Sequence, residues 1–211
     1  MNEKYIAIID YNAGNIKSVA NAFQKIGALI KVTNSPKVIR NARAIVLPGV
    51  GAYGDSMANL EIFKLIDLIK REIKTKPFLG ICLGLQLLFE YSTEKEHNEG
   101  LGILKGYIDK IPEGVKIPHI GWNQVNILKK DSKIFKDIKD KENFYFVHSF
   151  YAICENSLIV SSTTDYGVEL TASIEKDNIF ALQFHPEKSS LCGLKILENF
   201  VEIVQEEDRW R

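Results

Sequence analysis

The hydrophobic positions change period several times along the first hundred residues, and each change reads as an element boundary. "YIAIID" at residues 5–10 is a short apolar run with the length of a buried strand. In the following "GNIKSVANAFQKIG", Ile16, Val19, Ala20, Phe23 and Ile26 recur at helical spacing and Gly27 supplies a stop. "ALIKVT" and "RAIVLPG" repeat the strand signal, residues 55–72 read as a second amphipathic helix, and "PFLGIC" is a further buried strand. Strands that are apolar throughout and alternate with helices predict a parallel sheet covered on both faces. After about residue 103 the rhythm shifts to successive short strands: "LKGYIDKI", "WNQVNILK", "FYFVHSFYAIC", "LIVSSTT", "VELTASIE" and "IFALQFH". A closing helix carries Leu194, Leu197, Phe200, Val201 and Val204 on one face. The expected fold is therefore α/β, with a mixed, mostly parallel sheet, helices on both faces and antiparallel strands added in the second half. No repeat, low-complexity tract or linker interrupts the pattern, and 211 residues suit a single domain spanning 1–211.

Composition narrows the function classes. Apolar residues make up 45% and charged residues 26%, which is ordinary for a globular chain and argues against disorder. Lys plus Arg and Asp plus Glu both total 27, so no overall field draws the chain to nucleic acid or to an anionic membrane, and neither is expected as a partner. The opening "MNEKYIAIIDYN" turns from charged directly to strand-like sequence, without the apolar core and cleavage site of a signal peptide. The longest apolar run, residues 79–89, is too short to span a bilayer. Cys82, Cys154 and Cys192 are odd in number and lack CxxC spacing, so a reducing cytoplasm is expected and a disulfide framework or metal site is not.

The candidate chemistry begins at Gly80-Ile81-Cys82-Leu83-Gly84, which has the form of a nucleophile elbow where a strand turns sharply into a helix. Such a turn lifts the thiol off the sheet to a helix N-terminus, where the thiolate is favoured. Alone, the pattern reads as readily as a buried core cysteine. "LQFHPEKSS" changes the balance: His185 follows an apolar strand run, and Glu187 lies two residues on, on the same side of an extended chain. A base oriented by an acid is what a cysteine nucleophile requires. Gly49 to Gly54 spells G-x-G-x-x-G, but it follows the wrong strand and lacks an acidic residue at a suitable strand end. It serves better as a flexible loop able to aim a backbone N–H at a developing oxyanion. Gln86, one helical turn after Cys82, either reaches a substrate held at the thiol or is a solvated helix position.

With these residues in hand the chain resembles the class I glutamine amidotransferases, on a flavodoxin-like architecture. The resemblance runs end to end through "IIDYNAGNIKSV", "LPGVGAYGDSM", "GICLGLQLLFE", "PHIGWN", "FYFVHSFYA" and "QFHPEKSS", and "DYNAGN", "PGVG" and "GWN" are most like its histidine-biosynthesis branch. It implies Cys82 as nucleophile, His185 as base and acid, and Glu187 as orienting carboxylate. It implies contacts to glutamine from Gly49, Gln86, Glu94 and the backbone of His148, Ser149 and Phe150, and an oxyanion hole from the N–H groups near Val50 or Gly51 and at Leu83. Trp122, Asn123, Tyr145 and Lys188 match positions that face a partner, a (β/α)8-barrel synthase that receives the ammonia in a heterodimer; no cofactor is implied. Paralogous subunits that supply ammonia for amidino-sugar synthesis share this architecture. The rival classes are a stand-alone Cys-His-Glu hydrolase, against which Gln86 and "GWN" argue, and a non-catalytic scaffold, against which the complete triad argues.

Overall fold

The computed structural model describes residues 4–95 and 97–207. In chain order the first half contains β1 (Ile6–Ile9), α1 (Ile16–Lys25), β2 (Ile30–Thr33), α2 (Pro36–Asn41), β3 (Ala44–Gly49), α3 (Tyr53–Ile62), α4 (Ile66–Glu72), β4 (Phe78–Cys82) and α5 (Leu83–Gln86). The second half contributes β5 (Tyr91–Ser92), β6 (Asn98–Glu99), β7 (Gly106–Lys110), β8 (His119–Gln124), β9 (Asn126–Ile127), β10 (Asn143–His148), β11 (Phe150–Cys154), β12 (Val160–Asp165), β13 (Glu169–Lys176) and β14 (Ile179–Leu182). Short 3-10 turns lie at Ser157–Ile159 and at Pro186–Lys188, and the second leads into α6 (Ser190–Glu207).

The central sheet has the order β2-β1-β3-β4-β14-β13-β12-β9. Its first five members are parallel and the remaining three antiparallel. Strand residues alternate between two cores: Ile6 and Ile8 pack with α1 and α6 side chains such as Phe23 and Phe200, while Ala7 and Ile9 pack with Leu60, Leu68 and Leu85 of α3, α4 and α5. This two-sided burial is why the strands read as unbroken apolar runs. The order reverses between β1 and β3, and the segments after β1, β3, β4 and β14 all leave the sheet at its carboxyl end, where open α/β sheets place their ligands. Two smaller sheets stand beside it, β10-β8 and β11-β7-β5-β6.

Three local readings differ from the structure. The helix expected over 55–72 is two helices. Lys64, at φ 56°, takes the left-handed position after α3, and Leu65 N–H bonds to Leu60 C=O at 2.9 Å and Lys64 N–H to Glu61 C=O at 2.8 Å, a Schellman stop. The period runs on because Leu60, Leu65 and Leu68 share one core. A short helix, α2, lies where no element was expected; Pro36 opens it, and the Lys76 ammonium meets the carbonyls of Ile39 (3.2 Å) and Arg40 (2.6 Å) near its end. Lastly, "FYFVHSFYAIC" is two strands in two sheets, with the change of partner at Ser149.

Candidate active site

Cys82 is the last residue of β4 and directly precedes α5, with φ 52° and ψ −106°. A non-glycine residue held there stores roughly 1–3 kcal/mol of strain. The flanking glycines allow it by close approach: a Cβ on Gly84 would lie 1.8 Å from the Leu47 carbonyl oxygen, and one on Gly80 2.8 Å from the Gly84 oxygen. The strand-to-helix elbow expected from the sequence is thus present. Cys82 is 5% exposed, and its Sγ lies 3.9 Å from the Val147 carbonyl oxygen and 3.7 Å from Gln183 Nε2.

His185 lies beyond the end of β14. Its Nδ1 is 2.7 Å from Glu187 Oε1, with both side chains fully buried. An ionised carboxylate only accepts, so the ring proton sits on Nδ1 and Nε2 is the reactive nitrogen. Nε2 has no hydrogen-bond partner among the described residues. Burial pushes the imidazole pKa down, but the interactions with Cys82 and Glu187 outweigh it and raise it to about 10. The neighbouring Cys82 and Glu187 thus favour the protonated ring at neutral pH.

A pocket of about 290 Å³ opens over the thiol, lined by Val50, Gly51, Cys82, Leu83, Gln86, Glu94, Pro118, Val147, His148, Ser149 and Phe150. It gathers the sequence-derived oxyanion and glutamine contacts except Gly49, which pairs with Cys82 in the sheet and faces the Tyr11 hydroxyl beneath. Gln86 is buried, not solvated: its Nε2 donates to the Phe150 carbonyl (2.9 Å) and to Gln183 Oε1 (3.1 Å). Glu94 Oε2 accepts the Tyr53 N–H of α3 at 2.6 Å. Gly51 has φ 114°, a backbone conformation that glycine adopts and other residues rarely do.

The wall at His148 is a closed relay. Its Nδ1 donates to the Phe150 carbonyl (2.9 Å), its Nε2 receives from His119 Nδ1 (3.1 Å), and His119 Nε2 receives from Asn123 Nδ2 (3.3 Å). Each ring nitrogen is satisfied only if both imidazoles are neutral. Burial accordingly lowers His148 to about 3 and His119 to about 4.

Next to the pocket, β8 and β10 present an outward face. Trp122 is 54% and Ile120 57% exposed, Trp122 meets Tyr145 edge-on at 6.1 Å, and Lys188 Nζ lies 5.8 Å from the Tyr145 ring. Asn123 turns to the other side of β8, where it also donates to the Asp165 carbonyl at 2.8 Å. Among the described residues no His, Cys, Asp and Glu group could hold a metal, and no helix is long and apolar enough to cross a membrane.

Two polar residues at the site went unnoticed in the sequence. Gln183 touches both the sulfur and Gln86, two residues before His185; the extended chain expected from His185 to Glu187 is instead a 3-10 turn at Pro186–Lys188, which brings the carboxylate back to the ring. Asn15, left-handed at φ 75° before α1, donates through Nδ2 to Glu187 Oε1. Its only signal was its place in "DYNAGN".

The family model for glutamine amidotransferase class-I matches residues 7–204. The imidazole glycerol phosphate synthase subunit HisH of Methanothermobacter thermautotrophicus is 53% identical over 200 residues, covering 95% of this chain and 99% of its own. The protein of the same name from Aquifex aeolicus is 53% identical over 195 residues, covering 92% of this chain and 94% of its own. A crystal structure of a glutamine amidotransferase superposes with a TM-score of 0.74 at 14% identity, over 94% of this chain and 98% of that one, a likeness of fold. With a family match across nearly its whole length, the chain belongs to the class-I glutamine amidotransferases.

Proposed function

We propose that the chain, as one domain over residues 1–211, is the cytoplasmic glutaminase subunit of an imidazole glycerol phosphate synthase. The observation that carries this reading is Cys82 in the pocket, with the buried His185–Glu187 pair behind it, in a chain 53% identical to subunits of that name. The Cys82 thiolate attacks the side-chain amide carbon of glutamine, and the oxyanion takes N–H groups near Val50 or Gly51 and at Leu83. The His185 imidazolium protonates the departing nitrogen, which leaves as ammonia, and γ-glutamyl thioester remains on Cys82. Neutral His185 then takes a proton from water as the water attacks the thioester, and returns it to the sulfur as glutamate departs. Glu187 holds Nδ1–H throughout, while Gln86, Glu94 and the backbone of 148–150 grip the glutamine.

Ammonia released into water at neutral pH becomes ammonium, which is no nucleophile, so it must pass directly to an acceptor site. The face beside the pocket with exposed Trp122 and half-buried Tyr145 supports a docking site for a (β/α)8-barrel synthase, with Lys188 at its edge. Loss of one oxyanion donor typically costs roughly 3–4 kcal/mol, so the setting of the Val50–Gly51 peptide can gate activity on docking. The test is glutamate release from glutamine by the chain alone and with the synthase. Activity that rises strongly with the synthase and vanishes in Cys82→Ser supports the reading; activity that survives Cys82→Ser, or never responds to the synthase, refutes it.

A further inference from the structure

The sheet ladder does not reach His185. β14 pairs with β4 and β13 through Leu182, and the last ladder-like bond beyond it is Gln183 N–H to the Ala172 carbonyl at 2.8 Å. From there the backbone is held by a different strand. His185 N–H donates to the Tyr145 carbonyl at 2.9 Å, Tyr145 N–H donates to Ser189 Oγ at 2.9 Å, and Ser189 Oγ donates to the His185 carbonyl at 2.6 Å. These three bonds close a ring in which the Ser189 hydroxyl is both acceptor and donor, at a residue with 0% exposure. We propose that Ser189 is a positioning residue for His185, the link that locks the imidazole to strand β10.

The physical argument is one of rigidity. The catalytic role of His185, on which this inference rests, needs Nε2 held near the sulfur to within a few tenths of an ångström, and Nε2 has no hydrogen bond of its own to hold it. Glu187 fixes the ring, and the Ser189 ring fixes the backbone that carries it. The turn cannot easily tilt the other way, because a Cβ at Gly193 would lie 1.9 Å from the Pro186 carbonyl oxygen, so α6 is packed directly behind it. Tyr145 is also the residue whose ring stands beside Trp122 on the outward face. A shift of β10 there reaches His185 through one backbone bond and through the Ser189 hydroxyl, which joins Tyr145 N–H to the His185 carbonyl.

The test reads the rate at which iodoacetamide alkylates Cys82 at pH 7, peptide by peptide, so it requires neither glutamine nor a partner. Ser189→Ala is compared with wild type, and Ser189→Val with the isosteric, hydroxyl-bearing Ser189→Thr, so that the hydroxyl is tested even if alanine prevents folding. Ser161→Ala serves as control, since it removes a buried hydroxyl that bonds to Ser173 Oγ at 2.7 Å in β12 and β13. Where the variants fold by near-UV dichroism, each hydroxyl-free form is expected to react about 10-fold more slowly than its partner. The glutaminase kcat is expected to fall alongside with KM within about twofold. Rates within twofold in the folded pairs, or an equal drop in Ser161→Ala, overturn the proposal. A wild-type chain that alkylates at Cys82 yet never hydrolyses glutamine instead refutes the glutaminase reading, and the Ser189 comparison still stands or falls on its own.

Discussion

Replacing Gly84 by Ala tests the elbow at its tightest point. The new Cβ would lie 1.8 Å from the Leu47 carbonyl oxygen and 2.9 Å from its carbonyl carbon, both backbone atoms of β3. An ordinary carbon–oxygen contact is about 3.3–3.6 Å, so β3 and the start of α5 must separate by roughly 1.5 Å. No flexible side chain can absorb that movement. Cys82 stands two residues before the clash and Val50 three residues after Leu47, so the nucleophile and one side of the oxyanion loop move apart together. Misplacement of about 1 Å at reacting groups costs on the order of 100-fold in rate, and overpacking costs about 1–3 kcal/mol of stability, roughly 3–10 °C in melting temperature for a chain of this size. Gly80→Ala meets the Gly84 oxygen at 2.8 Å and should show the same effects at smaller amplitude. The assay is kcat/KM for glutamine well below the melting point, alongside a thermal melt. A Gly84→Ala variant with wild-type rate and melting temperature would refute the close-approach argument.

Glu187→Gln can keep an oxygen facing Asn15 and His185 Nδ1 but loses the charge that helps raise the imidazole to about 10, so kcat should fall at least about 100-fold with KM little changed; steady-state kinetics across pH check it. His148, held neutral with a pKa near 3, binds no proton in the folded state while the unfolded chain takes one up below its ordinary value. Its contribution is therefore complete above about pH 6.5 and lost on acidification at up to about 1.4 kcal/mol per pH unit, to be read from urea midpoints between pH 7 and 5 and reduced in His148→Gln, with His119, held near 4, accounting for the slope that remains. Trp122→Ala removes the largest exposed anchor of the proposed docking face and should weaken synthase binding by about 2 kcal/mol, near 30-fold in Kd, by calorimetry.

What the sequence made legible is local. The elbow needs only a strand, a helix and two small residues within five positions, and the short spacing of His185 and Glu187 placed them together, although a 3-10 turn at Pro186–Lys188 and not strand alternation makes the pair. The strand and helix sequence gave the parallel half because burial on both faces leaves an unmistakable apolar run. The misses are where a tertiary partner decides. A Schellman stop with Lys64 at its left-handed position leaves the apolar period untouched, and the change of sheet at Ser149 leaves alternation untouched. Asn15 reaches Glu187 across 172 positions of sequence, so no spacing rule connects them. Gln183 was within reach of the alternation already applied to its neighbours. Asn123 shows a different limit: alternation along the strand already places it opposite Trp122, but nothing local shows that it serves the His119 relay on that other side.

The central claim is that the Cys82 sulfur and the His185 imidazole act together on glutamine. Treatment with an electrophilic glutamine analogue, followed by peptide mass spectrometry, tests it most directly. The account predicts a single adduct on Cys82, none on Cys154 or Cys192, suppression by excess glutamine and loss of labelling in His185→Ala. Labelling spread over the other cysteines, or undiminished by glutamine, would contradict it.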